Sequence, residues 1–376
     1  MRIAINTRFL LPQYLEGLGN FTWEVSRRLV DRHPEHDFLF CFDRAYAPKY
    51  VVGDRTTAQV IWPPARRDFL WRVWFEFRLP QVLSSWRADV FLSPDGYCSL
   101  RSQVPTVMVT HDLAFLHFPD QVPAWALRYY RKWTPKFLDR AEHVVTVSEF
   151  VKEDILNSYS IGDDKISVSC NGVREIFKPL SEDEIEKVRQ RYSNGKPYFF
   201  YLGSVHPRKN LTRLIKAYSR FRASGGPDYP LLLGGRLAWQ LSEVQTAHEQ
   251  SDYRSDIQFL DYLPTPEAAR LLAASQALVY PSLSEGFGVP VLEAMQVDVP
   301  VITSNVTSLP EVAGDAAILI DPTSEEQLAQ ALLHISQNAE LRNQLIERGR
   351  KQRQMFSWEK ATDVVEEAIF AIAGKN

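Results

Sequence analysis

Pro281-Ser282-Leu283-Ser284-Glu285-Gly286-Phe287-Gly288-Val289-Pro290-Val291-Leu292-Glu293-Ala294-Met295 follows the apolar run 277–281. A short apolar strand, a loop with two glycines and then a helical stretch with proline in its first turn form the βα unit of a parallel sheet. Gly286 and Gly288 let the backbone approach a ligand closely. The amides at the helix start near Val289 make an anion site suited to a diphosphate. Glu285, in the loop, offers acceptors for sugar hydroxyls. Glu293, one turn into the helix, lies on the side where a ribose would sit. Either glutamate alone reads equally as a solvated turn residue; two of them around Gly-Phe-Gly-x-Pro do not.

Outward from this unit the same alternation fills the chain. Strand-like runs at 2–6, 37–42, 88–93, 104–110, 143–147 and 165–170 are separated by helical stretches such as 21–31, 123–140 and 149–158. The pattern restarts at Tyr198, with further runs at 231–234, 257–260, 277–281, 300–303 and 316–320. Two βαβ series predict two doubly wound, Rossmann-like α/β domains. The expected boundaries are 1–177 and 178–357, with a C-terminal helix at 358–376 packing back on the first domain. Ser181 and Glu184 read as a capping box opening the second series.

The 376 residues carry a net charge of −3, with 45% hydrophobic and 24% charged residues. That profile suits a globular protein and gives no footprint for nucleic acid. Cys41, Cys98 and Cys170 are scattered, which argues against a disulfide framework or a zinc site. Met1–Arg8 is too short and polar for a secretory signal, and no run reaches the length that spans a bilayer. The expected location is the cytoplasm, with contact at the inner face of the membrane left open.

The stretch from Glu285 to Glu293 resembles the E-x7-E signature of retaining family 4 glycosyltransferases of the GT-B fold. Ser304–Asp315, Asp321-Pro322 and Phe356-Ser357-Trp358 fall where other motifs of that family fall, so the likeness spans essentially the whole chain. The resemblance implies two domains facing across a cleft and transfer of a hexose, glucose or mannose, from a nucleotide diphosphate sugar such as UDP-glucose or GDP-mannose. The acceptor would be a glycan or lipid-linked glycan in surface polysaccharide synthesis. The nucleotide sugar is a substrate, so no cofactor is expected. The chain contains no D-x-D, and no metal requirement is expected either.

Other positions take roles through this resemblance. Arg208 and Lys209, in Leu202-Gly203-Ser204-Val205-His206-Pro207-Arg208-Lys209-Asn210, are adjacent cations in a loop before a helix. By themselves they are a solvated pair or a phosphate grip; the family assigns them to the departing diphosphate. Asn210 reads as an N-cap. Gly17 and Gly19 lie in a glycine-containing loop before the first helix, which the family sets near the phosphates. His111, at the tip of 104–110, would contact the transferred sugar rather than act as nucleophile. Ser204, Tyr262, Leu263, Phe287 and Val289 complete the expected donor contacts, with the Asp261-Tyr262-Leu263 tip bracketing the nucleobase largely through backbone. Ser148-Glu149 and Asn171-Gly172-Val173 also follow strands, Asn171-Gly172 mainly as a turn.

Phe69–Phe77, flanked by Arg66 and Arg67, is rich in aromatics within a mildly basic region. Core packing, lining of an acceptor cleft and membrane contact are all compatible with it. Three other functions fit the same architecture: an epimerase, a phosphorylase or a non-catalytic nucleotide-sugar-binding subunit.

Overall fold

In the computed structural model, which describes residues 1–13, 15–65, 68–236 and 242–374, the apolar runs form two all-parallel sheets. The first contains β1 (Arg2–Asn6), β2 (Asp37–Phe42), β3 (Thr56–Val60), β4 (Val90–Ser93), β5 (Thr106–Thr110), β6 (His143–Thr146) and β7 (Ile166–Val168), in the order β3-β2-β1-β4-β5-β6-β7. The second contains β8 (Phe199–Leu202), β9 (Leu231–Gly234), β10 (Ile257–Phe259), β11 (Ala277–Tyr280), β12 (Val301–Ser304) and β13 (Ala317–Ile320), in the order β10-β9-β8-β11-β12-β13. Every residue of β4, β5, β11 and β12 is buried. Helices covering both faces of a parallel sheet demand such unbroken apolar strands.

β3 is not among the strands expected from the sequence. Its Thr-Thr-Ala-Gln-Val is mostly exposed or half-buried at the sheet edge, held by pairing with β2. An edge strand needs little apolar content, so it leaves a weak sequence signal.

The chain divides into two units, Met1–Asn171 with the segment from Trp358 onward, and Gly172–Ser357. The division lies ahead of the expected boundary at 177. Arg174 and Phe177 belong with the second unit: Arg174 donates to Thr265 and Glu293, and Phe177 is fully buried. The helix Trp358–Ala373 lies in the first unit, against the helix Gly17–Arg32. Trp358, Ala361, Val365, Ile369 and Ile372 form its buried stripe. Arg32 donates to Glu359, Asp363 and Glu366 at 2.6, 2.7 and 3.0 Å, and Ser169 Oγ donates to the Ala361 carbonyl at 2.9 Å. The capping box is formed, with Glu184 accepting from Ser181 N at 3.1 Å. Arg66 and Arg67 lie outside the described residues.

Candidate active site

In the second sheet the strand order reverses between β8 and β11. Open parallel sheets bind ligands at such a reversal, beyond the carboxyl ends of the strands. Two loops border it, 203–210 after β8 and 281–288 after β11, and they are stitched together. Leu283 N donates to the Arg208 carbonyl at 2.7 Å, and Arg208 Nη1 donates to the Ser284 carbonyl at 3.1 Å. Asn210 stands at the N-cap position of the helix Leu211–Ala223, but its side chain does not cap. Its Nδ2 instead donates to the Pro281 and Pro322 carbonyls at 3.0 and 2.7 Å, satisfying acceptors left at the loop edge.

The loops bring Glu285, Lys209 and Arg208 together. Glu285 is 6% exposed and Lys209 8%. Lys209 Nζ donates to Glu285 Oε1 at 2.5 Å and to Tyr280 Oη at 2.8 Å, while Arg208 Nη1 lies 3.6 Å from Glu285 Oε2. Burial pushes the Glu285 carboxyl up, but Lys209 and then Arg208 outweigh it and hold the group below its ordinary value. The carboxylate is therefore ionised at neutral pH. Burial, with Glu285's charge beside it, drives the Tyr280 phenol well up, so it stays protonated.

The turn after β12 fixes this loop from the other side. Glu285 N donates to Thr307 Oγ1 at 3.2 Å, and the Ser308 hydroxyl serves the carbonyls of Glu285 and Phe287, both at 2.9 Å. Gly288, at φ 104°, turns the chain into the helix Val289–Gln296; a Cβ there would stand 2.7 Å from Leu309 Cδ2. The Phe287 ring is buried edge-on against Phe356, so the loop's outward offer is backbone. Gly286 is buried and Val289 half-buried. Around the rim, Ser204 is exposed, with its carbonyl accepting from Tyr201 Oη at 3.1 Å. Tyr262 is 55% exposed and Leu263 half-buried.

Glu293 is 2% exposed, and its partner was not anticipated. Arg174 reaches Oε1 with Nη2 at 2.6 Å and Nε at 3.2 Å, and donates from Nη1 to Thr265 Oγ1 at 3.3 Å. It directly follows Asn171-Gly172-Val173, read from sequence as a turn, which was the only available signal. Burial raises the Glu293 carboxyl despite Arg174. With the folded value raised, the native state holds this proton longer than the unfolded chain does, so this site's contribution to stability falls as pH rises. Arg174→Met removes the opposing cation and raises the value further. The variant's stability deficit should grow as pH rises from acid toward neutral, reaching roughly 3 kcal/mol. Urea unfolding across that range checks this; a deficit independent of pH would show that the ion pair is not its source.

In the first unit the order reverses between β1 and β4. There Arg8 pairs with Asp95, which also accepts from Asn6 Nδ2 at 2.7 Å. The guanidinium lies 4.7 Å from the Tyr97 ring and 5.3 Å from that of Phe75. Asp95 was not singled out from the sequence and Arg8 was given no site role, because their pairing exists only when β1 and β4 lie side by side. His111, at the tip of β5, places Nε2 2.9 Å from the Pro94 carbonyl. A carbonyl only accepts, so Nε2 carries the proton. Burial keeps the imidazole below its ordinary pKa and therefore neutral, leaving Nδ1 as an acceptor. Gly17 opens the helix Gly17–Arg32 and is exposed; Gly19 is buried two residues later. These first-unit residues and the Lys209–Glu285 cluster are built by separate sheets.

Two family profiles tile the chain: "Glycosyltransferase Family 4" over residues 15–175 and "Glycosyl transferases group 1" over 182–352. O-antigen chain mannosyltransferase B of Escherichia coli is 33% identical over 282 residues, spanning 75% of this chain and 74% of the relative. The chain belongs to glycosyltransferase family 4. This family 4 enzyme is a hexosyltransferase of polysaccharide synthesis. It is also 31% identical over 245 residues to O-antigen chain mannosyltransferase RfbU of Salmonella typhimurium, covering 63% of this chain and 62% of that one. The fold of the glycosyltransferase is shared with Anabaena HepE, solved in complex with UDP-glucose, at a TM-score of 0.79 and 16% identity over 99% of this chain and 100% of that one. GT-B is thus its fold class, as the resemblance implied.

Proposed function

We propose that the enzyme transfers mannose from a nucleotide diphosphate sugar to a glycan or lipid-linked glycan, with retention of anomeric configuration and without a metal. The observation that carries this reading is the Arg208–Lys209–Glu285 cluster at the reversal between β8 and β11. As the bond to the sugar breaks, negative charge grows on the diphosphate, and two preorganised cations there stabilise it without further reorganisation. The amides at the start of the helix Val289–Gln296 extend the same anion site.

Glu285 holds Lys209 in place and offers its second oxygen to sugar hydroxyls. Glu293, steadied by Arg174, accepts from the ribose. Neutral His111 accepts a sugar hydroxyl at Nδ1. Gly17 and Gly19 allow the first-unit backbone to approach the phosphates, and Ser204, Tyr262, Leu263, Gly286, Phe287, Gly288 and Val289 contact the donor. The acceptor hydroxyl attacks the face that the diphosphate leaves, and its proton passes to the departing phosphate oxygen. The choice of mannose rests on the two mannosyltransferase relatives.

The test is a thermal-shift panel of GDP-mannose and UDP-glucose. Ligand at about 100 times its Kd stabilises the native state by roughly 2.7 kcal/mol, so GDP-mannose should raise the Tm by several degrees and UDP-glucose by less. Preference for UDP-glucose would replace mannose by glucose. Failure of every nucleotide sugar to shift the Tm would overturn the site assignment, and turnover of donor to an epimer without acceptor would overturn transfer itself.

A further inference from the structure

His33-Pro34-Glu35-His36 ends the helix Gly17–Arg32 and leads into β2. The turn is tight: His36 N donates to the His33 carbonyl at 3.0 Å, with Pro34 at the position whose φ such a turn fixes. It sets the two imidazoles face to face, with 5.3 Å between centroids and 9° between planes. The Phe370 ring, on the helix Trp358–Ala373, lies 5.0 Å from the first and 5.8 Å from the second. Glu35 Oε1 stands 3.3 Å from His33 Nδ1 and 3.6 Å from His36 Nδ1. Among the described residues this is the one group of three or more histidine, cysteine or carboxylate side chains with ligand atoms all within 4.8 Å of one another. It sits at the amino ends of β1 and β2, whereas the loops given to sugar transfer follow carboxyl ends of strands.

We propose that His33, Glu35 and His36 form a structural binding site for a divalent metal of the zinc class. Two imidazoles and one carboxylate suit zinc, and they offer too few oxygens for magnesium or calcium. Ligands at about 2.1 Å around a tetrahedral ion stand roughly 3.4 Å apart, so two of the three edges are already set. A metal lies in the plane of an imidazole that binds it, so binding turns the two rings out of their stack while the turn holds their backbone. The second nitrogen of His33 is provided for. Its Nε2 is shielded from water, 3.1 Å from Glu366 Oε1, and Arg32 donates to the other Glu366 oxygen at 3.0 Å. A ligating histidine commonly gives its second N–H to a carboxylate, which fixes the tautomer and frees the other lone pair for the metal. Here the freed lone pair is on Nδ1, the atom beside Glu35. An ordinary surface histidine–glutamate pair has no such support. The nearest competing cation is the Met1 amino group, 3.5 Å from His36 Nδ1, which the metal displaces. Water completes the shell. Because Glu366 belongs to the helix Trp358–Ala373, the ion would tie the 33–36 turn to that helix. Sugar transfer makes no use of it, and the proposal does not depend on which sugar is moved.

The test is calorimetric titration of the untagged, chelator-treated full chain with zinc chloride and, separately, with magnesium chloride. Zinc should bind saturably, and magnesium should give no saturable heat at the same concentrations. Zinc at about 100 times its Kd should raise the unfolding temperature by about 5 °C, and chelator should reverse the rise. Loss of a single supporting partner weakens a metal site about 10–100-fold. His33→Gln with His36→Gln, which removes two ligands, should therefore lower zinc affinity by at least about a hundredfold. The donor-induced thermal shift, read without zinc, should stay at its parent value in that variant, which separates loss of the metal site from loss of the fold or of the donor site. No zinc uptake, an equal response to magnesium, or undiminished zinc binding by the folded double variant would each overturn the proposal. If the double variant fails to fold, undiminished zinc binding by Glu35→Gln, a change at an exposed side chain, overturns it instead.

Discussion

Lys209→Met should slow transfer by orders of magnitude and leave a markedly less stable second unit. The lysine is the nearest cation to a carboxylate that is almost wholly removed from water. Removing one partner of a buried pair strands the other, at a cost of about 3–5 kcal/mol. The pH dependence gives a second signature. In the parent, Glu285's folded pKa is depressed, so its contribution to stability is present above the ordinary carboxylate range and is lost as pH falls through the depressed value. In the variant that contribution disappears and the parent's advantage shrinks on acidification. Loss of one preorganised charge opposite the leaving group should lower turnover about 10²–10³-fold. Lys209→Met with Glu285→Gln removes the stranded charge and should recover much of the stability but none of the activity. Urea unfolding and single-turnover kinetics on these two variants and on Glu285→Gln alone complete a double-mutant cycle. A coupling energy below about 0.5 kcal/mol would mean that the pair is not the unit described here.

Gly235→Ala is the second large effect, and it acts without touching a charge. Where β8 and β9 end, Gly235 at φ 149° faces the backbone of Gly203, and a Cβ on Gly235 would fall 1.8 Å from the Gly203 carbonyl oxygen. Neither side yields easily. Gly203 N donates to the Gly234 carbonyl at 2.9 Å, Val205 N to the Arg236 carbonyl at 2.9 Å, and Gly235 N to the Asp261 carbonyl at 2.8 Å. The methyl must push the 203–205 backbone aside, and that backbone leads directly into Arg208 and Lys209. Positive φ and a backbone clash each cost on the order of 1–3 kcal/mol, so a loss of at least about 3 kcal/mol is expected, with donor affinity falling alongside. Chemical denaturation and donor titration measure both. A variant with parent stability would show that the two loops slide freely past each other.

The second unit's candidate site was largely legible in the sequence because its residues are local. Glu285, Gly286, Gly288 and Glu293 sit within one βα unit, and Arg208 and Lys209 within another. Strands buried on both faces announce themselves as apolar runs, so β4, β5, β11 and β12 were readable. What escaped has a common origin in side-by-side placement of distant segments. Arg174 matters because it lies beside Glu293, 119 positions away, and Asp95 because it meets Arg8, 87 positions away. The edge strand β3 escaped for the opposite reason: pairing, not burial, makes it a strand. The boundary was misplaced by the same kind of contact, since Arg174 and Phe177 look like a linker until their partners are known.

The helix Trp358–Ala373 has a consequence for the order of events during synthesis. Its buried stripe completes a unit whose other residues end at Asn171, with the whole of Gly172–Ser357 made in between. The second unit is contiguous and has all its parts before the ribosome reaches Trp358. The first unit has none of this covering helix until Trp358–Ala373 emerges. A nascent chain therefore carries a finished second unit attached to a first unit with an uncovered apolar face. Chains cut short before Trp358 should fail by aggregation through that face rather than by loss of the second unit's fold.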